Sequence, residues 1–280
     1  MKKMSFILLT AYCLLLTSLY GGQKLKVIVS IYPLYDFVRQ VGGESVDVKL
    51  LLPPGASSHT YEPTPKVMKE LSDASVFVKI GAGLEFWAEK MVKASGSKRL
   101  IIVDSSSGIP LLSADPHIWL DPLIARDIVT KIEKALIEAD PYNAKVYKKN
   151  ASIYRERLLH LDKEISEKVK TFTIKEYVTF HSAWNYFSKR YGLKVAGVIE
   201  EAPGKEPSPK HIARIIQEVN RIRNRVIFAE PQFNPKIAEA IARESSAKVL
   251  YLDPLGGQKG RETYIDLMRY NIRVMEGAMR

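Results

Sequence analysis

The sequence predicts an α/β protein of two lobes, each built on a parallel sheet, with one long α-helix joining them. Two observations lead to this fold class. Short β-branched runs alternate with amphipathic stretches in two successive series, and an uninterrupted helical pattern lies between the series. Alternating strands and helices form βαβ units, which produce parallel sheets. The 280 residues are enough for two domains of ~100–200 residues each.

The N-terminal lobe is predicted to cover residues 23–139. Its strand candidates are four short apolar runs: Leu25–Ile31, Val46–Leu52, Ser75–Ile80 and Arg99–Val103. Amphipathic stretches near residues 34–41, 65–73, 83–95 and 123–138 predict helices between and after these strands. Asp121-Pro122 reads as a helix start, because Asp is a favoured N-cap and Pro fits the first helical position.

A single long helix is predicted over residues 140–170. Asp140-Pro141 is another cap followed by proline. Apolar residues then recur every three or four positions: Tyr147, Ala151, Tyr154, Leu158, Leu161 and Ile165. About 30 residues at 1.5 Å each give roughly 45 Å of helix. The spacing also suits a coiled-coil dimer, but so short a stripe within an α/β chain favours packing against the chain's own lobes. We expect a rigid linker in a monomer.

The C-terminal lobe is predicted to cover residues 171–280 and to repeat the scheme. Its strand candidates are Tyr177–Phe180, Val195–Ile199, Arg225–Ala229 and Val249–Leu252. Helices are predicted near residues 184–191, 208–222, 234–244 and 263–279. Ser208-Pro209 and Asn234-Pro235 each have the form of an N-cap followed by Pro. We therefore expect two Rossmann-like lobes of similar architecture.

Residues 1–22 are predicted to be a secretory signal peptide. Lys2 and Lys3 precede an apolar run of about 16 residues that ends at Gly21, which is the basic head and apolar core of such a signal. The run is shorter than the ~20 residues that span a bilayer. Cys13 follows Tyr12 rather than a small residue, which argues against a lipoprotein anchor. We expect an exported, periplasmic or otherwise extracytoplasmic protein.

The composition leaves metal binding or catalysis to His, Asp, Glu and hydroxyl groups. The one Cys of the chain lies inside the predicted signal peptide, so a CxxC metal or redox site is excluded. The net charge is +11, yet Lys and Arg are dispersed among Glu residues along helices, as in Lys163-Glu164. This pattern is typical of a solvated face, and we expect no nucleic-acid partner.

Three histidines and one aspartate follow predicted strands, two in each lobe. His59 and His117 lie after the second and fourth strands, whereas His181 and Asp253 directly end strands of the C-terminal lobe. Open α/β sheets bind ligands beyond the carboxyl ends of their strands. Three imidazoles and a carboxylate suit tetrahedral zinc, so we hypothesise a metal site in the cleft between the lobes. Each residue alone also fits a solvated loop. Surface roles are expected for the other two histidines, His160 and His211.

Seven short motifs extend this pattern over almost the whole mature length. Those of the N-terminal half are Ser30–Pro33, Gly55–Pro65, Gly81–Trp87 and PHIWLDP from Pro116. Those of the C-terminal half are EPSP from Glu206, FAEP from Phe228 and LDPLG from Leu252. With these motifs the chain resembles the metal-binding solute-binding proteins of ABC transporters, the zinc/manganese cluster with a rigid backbone helix.

The resemblance implies a ligand set and a role. The implied metal ligands are His59, His117, His181 and Asp253. The implied role is to capture a divalent cation and deliver it to an ABC permease. The ATP-binding subunit of the transporter is then an indirect partner. Manganese-type members tend to carry Glu at the third position, so His181 favours Zn²⁺, with Mn²⁺ or Fe²⁺ as the alternative. Many zinc members carry a His-rich loop before the second ligand, whereas residues 105–115 contain no His. Either a compact zinc binder or a broader selectivity fits this departure.

Glu230 ends a predicted strand and could orient a ligating histidine, although a helix-start or ion-pair role fits equally well. Weaker carboxylate candidates are Glu62, Glu85, Glu200 and Glu201.

Two other classes of function fit less well. A zinc hydrolase keeps a coordination position open for water, whereas four protein ligands are implied here, and neither HExxH nor a Ser nucleophile elbow occurs. A surface adhesin that used the basic surplus would need a concentrated basic tract. We therefore predict a binding protein rather than an enzyme.

Overall fold

A computed structural model describes residues 23–53, 55–202 and 204–280. The signal peptide predicted over residues 1–22 lies outside these described residues. All eight predicted strands are present: β1 (Leu25–Val29), β2 (Val46–Leu50), β3 (Val76–Lys79), β4 (Ile101–Asp104), β5 (Glu176–Thr179), β6 (Lys194–Val198), β7 (Val226–Ala229) and β8 (Lys248–Tyr251).

The described ranges also contain nine α-helices. They are α1 (Tyr32–Gly42), α2 (Pro65–Glu70), α3 (Ala88–Ser95), α4 (Pro122–Ala139), α5 (Ala144–Lys170), α6 (Asn185–Tyr191), α7 (Pro209–Arg221), α8 (Lys236–Ser245) and α9 (Tyr264–Met279). Asp121 and Ser208 cap α4 and α7 as predicted, because their side chains accept hydrogen bonds from the backbone N–H groups of Leu123 and His211.

The two halves have the same sheet topology. The first sheet has the strand order β2-β1-β3-β4 and the second has β6-β5-β7-β8, and every pair is parallel. In each sheet the first strand of the half is followed by a strand on one side and then by a strand on the other. This change of direction creates a topological switch point at the carboxyl ends of neighbouring strands, where α/β sheets bind ligands.

The long helix α5 lies between the two sheets in sequence and carries the predicted apolar face. All six predicted residues of this face are buried: Tyr147, Ala151, Tyr154, Leu158, Leu161 and Ile165. They belong to one hydrophobic cluster that also contains Val78 from β3 and Phe228 from β7. Because one continuous core includes residues of both sheets and the helix, separating the lobes would expose apolar surface.

Helix α3 begins later than predicted, at Ala88 instead of near residue 83. Residues 81–83 have positive φ angles of 81°, 52° and 84°, which cannot continue into a helix. Buried Glu85 then accepts hydrogen bonds from the backbone N–H groups of Ile80 and Gly81 at 2.8 and 2.9 Å. The segment is therefore a turn held by its own carboxylate.

Two other predicted helix starts differ by a few residues. Asp140 does accept a hydrogen bond from the backbone N–H of Asn143, but it opens a 3₁₀ turn, and the α-helix starts at Ala144. Asn234 accepts from the N–H of Lys236, which places it one residue too early to be the N-cap of α8. Such shifts of a turn are common at helix ends.

Asp36 joins three elements from distant parts of the chain. It lies on α1 and is 5% exposed. Its Oδ2 accepts hydrogen bonds from the Tyr154 hydroxyl of α5 at 2.8 Å and from the Tyr264 backbone N–H at the start of α9 at 3.0 Å. Gln40 donates to Oδ1. One buried carboxylate thus connects the N-terminal lobe, the long helix and the C-terminal helix.

Within the described ranges, no helix combines the length and the apolar character that crossing a membrane requires.

Asp36→Ala is expected to destabilise the whole protein. The substitution leaves the buried Tyr154 hydroxyl and the Tyr264 N–H without an acceptor, and an unpaired buried donor costs about 1–3 kcal/mol. We predict a loss of about 3 kcal/mol in the free energy of unfolding, measured by urea denaturation. The control is Asp47→Ala, at an exposed position on β2. Equal stability of the two variants would show that the Asp36 junction contributes nothing.

Candidate metal centre

Three histidine side chains, two from the N-terminal half and one from the C-terminal half, converge on one point. One ring nitrogen from each of His59, His117 and His181 lies within 4.8 Å of the other two. Nε2 of His117 is 3.1 Å from Nε2 of His59 and 3.2 Å from Nε2 of His181. The structure therefore brings together the three imidazoles singled out from the sequence.

The sheet topology explains part of this convergence. His181 follows β5 and Glu230 follows β7, and these two strands are neighbours in the second sheet. Their ends flank the switch point of that sheet, so the two side chains lie side by side. His59 and His117 reach the same point from the segments that follow β2 and β4 in the first sheet.

Two carboxylates determine which nitrogen of each buried ring is free. Nδ1 of His117 is 2.6 Å from Oδ1 of Asp115, and Nδ1 of His181 is 2.7 Å from Oε1 of Glu230. A carboxylate only accepts hydrogen bonds, so each Nδ1 must carry the proton and donate it. In the neutral rings the proton is then absent from Nε2. Both Nε2 atoms present lone pairs, which are the electrons that bind a metal.

The facing lone pairs make the centre complementary to a cation. Nε2 of His117 and Nε2 of His181 are 3.2 Å apart, and neither has a proton to share in the neutral state. Two acceptors at this distance repel each other unless a positive group lies between them. Imidazole nitrogens bind zinc at ~2.0–2.1 Å, so nitrogens grouped this closely need only small adjustments to share one ion.

Aromatic side chains pack against two of the imidazoles. The Trp119 ring lies 5.2 Å from the His117 ring, and the Phe233 ring lies 4.9 Å from the His181 ring. Leu255 also lines this narrow pocket. Such surroundings lower the local dielectric, which strengthens the attraction between a cation and its ligands.

Burial keeps His59 and His117 in the form that binds metal. Desolvation, followed by the proximity of His117 and His181, lowers the pKa of His59 to about 3. Burial also lowers the pKa of His117, although the hydrogen bond to Asp115 opposes this shift. Imidazole must be deprotonated to ligate a metal, so His59 is ready to bind at neutral pH without releasing a proton.

Asp253 lies beyond β8 as predicted, but its carboxylate is not within the three-histidine group. It is completely buried. Its Oδ1 accepts hydrogen bonds from the Gln232 side chain and from the backbone N–H groups of Leu255 and Gly256. Its Oδ2 lies 3.0 Å from Nη1 of Arg261 and has no hydrogen-bond partner among the described residues. One oxygen of the fourth predicted ligand therefore has an ion pair with Arg261 but accepts no hydrogen bond from the described residues.

Asp115 was not singled out from the sequence, although it orients His117. It also accepts a hydrogen bond from the backbone N–H of His117 at 2.9 Å. From the other lobe, the Asn185 amide donates to its Oδ2 and the Tyr186 hydroxyl donates to its backbone carbonyl. The Asp-x-His spacing of Asp115 and His117 was the one feature of the sequence that could have indicated this role. The contacts that make it effective come from α6, about 70 residues away.

The other histidines lie outside the centre. His160 is exposed on α5, as expected. The surface role expected for His211 is wrong, because this residue is only 7% exposed. Its Nε2–H donates to the Val198 carbonyl at 2.8 Å, and its Nδ1 accepts from Arg214 at 2.9 Å. The first turn of α7 packs on the end of β6, which buries the ring.

The chain has two α/β lobes with parallel sheets and a long helix, and three imidazoles from the two lobes converge on one point. These features define a metal-binding protein of the solute-binding class. The chain belongs to the ZnuA family, since the family model described as zinc-uptake complex component A, periplasmic, matches residues 27–278. This family consists of solute-binding proteins and not of enzymes. The resemblance to metal-binding solute-binding proteins is confirmed.

Curated relatives carry zinc-related names. The high-affinity zinc uptake system protein ZnuA of Bacillus subtilis is 31% identical over an alignment 313 positions long, gaps included, which covers 99% of this chain and 98% of that protein. The zinc-binding lipoprotein AdcA of Streptococcus pneumoniae is 29% identical, and the match covers 99% of this chain but 61% of AdcA.

Solved structures share the fold. A crystal structure of ZnuA superposes with a TM-score of 0.83 at 33% identity, covering 91% of this chain and 99% of that chain. The Zn(II)-bound ZnuA-like domain of Streptococcus pneumoniae AdcA superposes with a TM-score of 0.80 at 30% identity, covering 92% and 99%. The α/β architecture predicted from the sequence is confirmed.

Removing either orienting carboxylate is expected to weaken metal binding. In Asp115→Asn and Glu230→Gln the imidazole loses a charged acceptor at Nδ1, so Nε2 becomes less basic and less well oriented. We predict ~10–100-fold weaker Zn²⁺ binding, measured by competition with a chromophoric chelator. The control is Glu62→Gln, an exposed carboxylate three residues from His59. Unchanged affinity in both carboxylate variants would contradict the orienting role.

Acid is expected to destabilise the metal-free protein over the pH range in which His59 is neutral in the folded state but protonated in the unfolded state. The unfolded side chain binds a proton near pH ~6.5, whereas the folded pKa is about 3. Between these values the unfolded state holds the extra proton, so stability is lost as the pH falls below ~6.5. Urea denaturation at pH 7 and pH 5 should show this loss, and His59→Gln should reduce it. The exposed-site variant His160→Gln should retain the wild-type dependence; an equal reduction in both variants would refute the assignment to His59.

Proposed function

We propose that this chain captures Zn²⁺ outside the cytoplasmic membrane and delivers it to a cognate ABC permease. The observation that carries the proposal is the convergence of the three Nε2 atoms, two of them with tautomers fixed by Asp115 and Glu230. Membership of a zinc-uptake family supports the choice of cargo. Delivery to a permease follows from the role of solute-binding proteins in ABC transport.

The donor set favours Zn²⁺ over Mn²⁺ or Fe²⁺. Imidazole nitrogens suit zinc, whereas manganese favours carboxylate, carbonyl and water oxygens and higher coordination numbers. His181 occupies the position where a carboxylate would favour manganese, and its neighbour Glu230 is engaged with Nδ1 of the same ring.

Asp253 is proposed as the fourth ligand. Its Oδ2 is buried and without a hydrogen-bond partner among the described residues, and its neighbours Pro254 and Leu255 line the histidine pocket. Oδ2 pairs with the Arg261 guanidinium but accepts no hydrogen bond from the described residues, so this oxygen is available to bind a metal ion as well. Three imidazoles and one carboxylate would close a tetrahedral sphere around zinc, which suits a transported ion better than a catalytic one.

Residues 1–22 are proposed to act as the export signal that brings the protein to the compartment where it meets zinc. The sequence also predicts that the protein is a monomer and that it carries no lipid anchor. Orthogonal tests are intact-mass analysis of the exported protein, which would show a lipid, and sedimentation of the purified protein.

Calorimetric titration of the metal-free, signal-free protein should show one Zn²⁺ bound per chain. His59→Ala should weaken binding at least 100-fold, because it removes one of three nitrogen ligands, whereas His160→Ala should bind as the wild type does. A stoichiometry other than one, or full affinity in His59→Ala, would contradict the proposal. Competition with Mn²⁺ and Fe²⁺ tests the cargo: retention of either metal against equimolar Zn²⁺ would overturn the zinc assignment.

A further inference from the structure

Arg261 is an internal cation held against the proposed fourth ligand. Its Nη1 lies 3.0 Å from Oδ2 of Asp253, while Oδ1 is occupied by three hydrogen-bond donors. The contact between Nη1 and Oδ2 is an ion pair whose geometry is not that of a hydrogen bond. Oδ2 therefore has no hydrogen-bond partner among the described residues. Arg261 thus compensates the charge of Asp253 at Oδ2, the oxygen that accepts no other contact from a donor among the described residues.

Arg261 is itself anchored and does not move freely in solvent. Its side chain is 14% exposed. The guanidinium lies 4.6 Å from the centre of the Tyr270 ring, and Nη2 donates to the Gln258 side chain. The backbone carbonyl of Arg261 accepts from the N–H of Gly257 at 3.0 Å. The loop after β8 therefore holds the guanidinium in place against the Asp253 carboxylate.

We propose that Arg261 competes with the bound metal ion for Asp253 and thereby limits the affinity of the site. The inference rests on the proposed function, in which Asp253 is the fourth ligand. In the metal-free protein Arg261 neutralises a carboxylate that would otherwise be buried without a counter-charge. When Zn²⁺ takes Oδ2, two cations share one carboxylate at close range, and their mutual repulsion opposes metal binding.

The direction of this effect suits a protein that must release its cargo. A buried carboxylate with no cation is destabilising, so the metal-free state depends on Arg261. The metal-loaded state needs it less, because zinc supplies the positive charge. Arg261 therefore stabilises the empty form relative to the loaded form, which lowers affinity and speeds dissociation.

Neutral substitutions of Arg261 should separate this role from simple packing. Arg261→Met keeps an apolar stem against Tyr270, and Arg261→Gln keeps polar contacts; both remove the charge. Each variant should have a lower melting temperature than wild type when metal-free. Each should nevertheless bind Zn²⁺ about tenfold more tightly, the size of a typical coupling between two sites, and release it more slowly to excess chelator. Arg261→Lys should stay near wild type. The matched control is Arg269→Gln, whose exposed guanidinium pairs with Glu164 on α5.

A double-mutant cycle with Asp253→Asn makes failure of the inference distinguishable from failure of the ligand assignment. If Asp253→Asn alone binds Zn²⁺ as tightly as wild type, Asp253 is not a ligand, and both the assignment and the inference fall. If Asp253→Asn weakens binding but the neutral Arg261 variants bind no more tightly than wild type, only the inference is overturned. The result expected is that Arg261→Met tightens binding in the wild type and has no effect in Asp253→Asn.

If an Arg261 variant is too unstable to titrate without metal, its zinc-loaded form can still test whether Arg261 competes with the metal ion. The zinc-loaded protein is stabilised by its ligand, so release into excess chelator can be timed from that state. Slower release than wild type supports competition by Arg261, and equal or faster release overturns it.

Discussion

The metal centre depends on one close contact: Nε2 of His117 and Nε2 of His181 face each other at 3.2 Å, and each directs a lone pair at the other. The arrangement is unfavourable without a cation and follows from the two carboxylates that hold the proton on the far side of each ring. Protonating Nε2 of His117 would relieve the contact, but burial disfavours the charged form of this ring and lowers its pKa. The protein thus maintains a site whose unfavourable contact an arriving metal ion removes.

Holding such a contact requires a rigid frame, and the frame crosses both lobes. Asp115 from the N-terminal half takes hydrogen bonds from Asn185 and Tyr186 of the C-terminal half. The Trp119 indole donates to the Pro254 carbonyl, and the Tyr264 hydroxyl donates to the Trp119 carbonyl. These bonds lie beside the imidazoles and run over the shared hydrophobic core. Small local adjustments at the metal therefore fit this protein better than wide opening of the lobes.

The parts of the site that follow strand ends could be predicted, and the parts that depend on folding across the chain could not. His181 and Glu230 each come directly after an apolar run, and neighbouring parallel strands place them together. Asp115 lies in a long segment without regular pattern, and its effect comes from α6. Arg261 had no signal either, since an arginine in a Gly-rich loop reads as solvated. The burial of His211 and the Asp36 junction, whose partner Tyr264 is 228 residues away, likewise required the tertiary structure.

Diffraction from crystals of the zinc-loaded protein, with anomalous data collected at the zinc absorption edge, tests the account most directly. The account predicts one strong anomalous peak ~2.0–2.1 Å from Nε2 of each of His59, His117 and His181, with Nδ1 of the last two still bonded to Asp115 and Glu230. A peak elsewhere on the molecule, or coordination through Nδ1 with the carboxylates displaced, would contradict it.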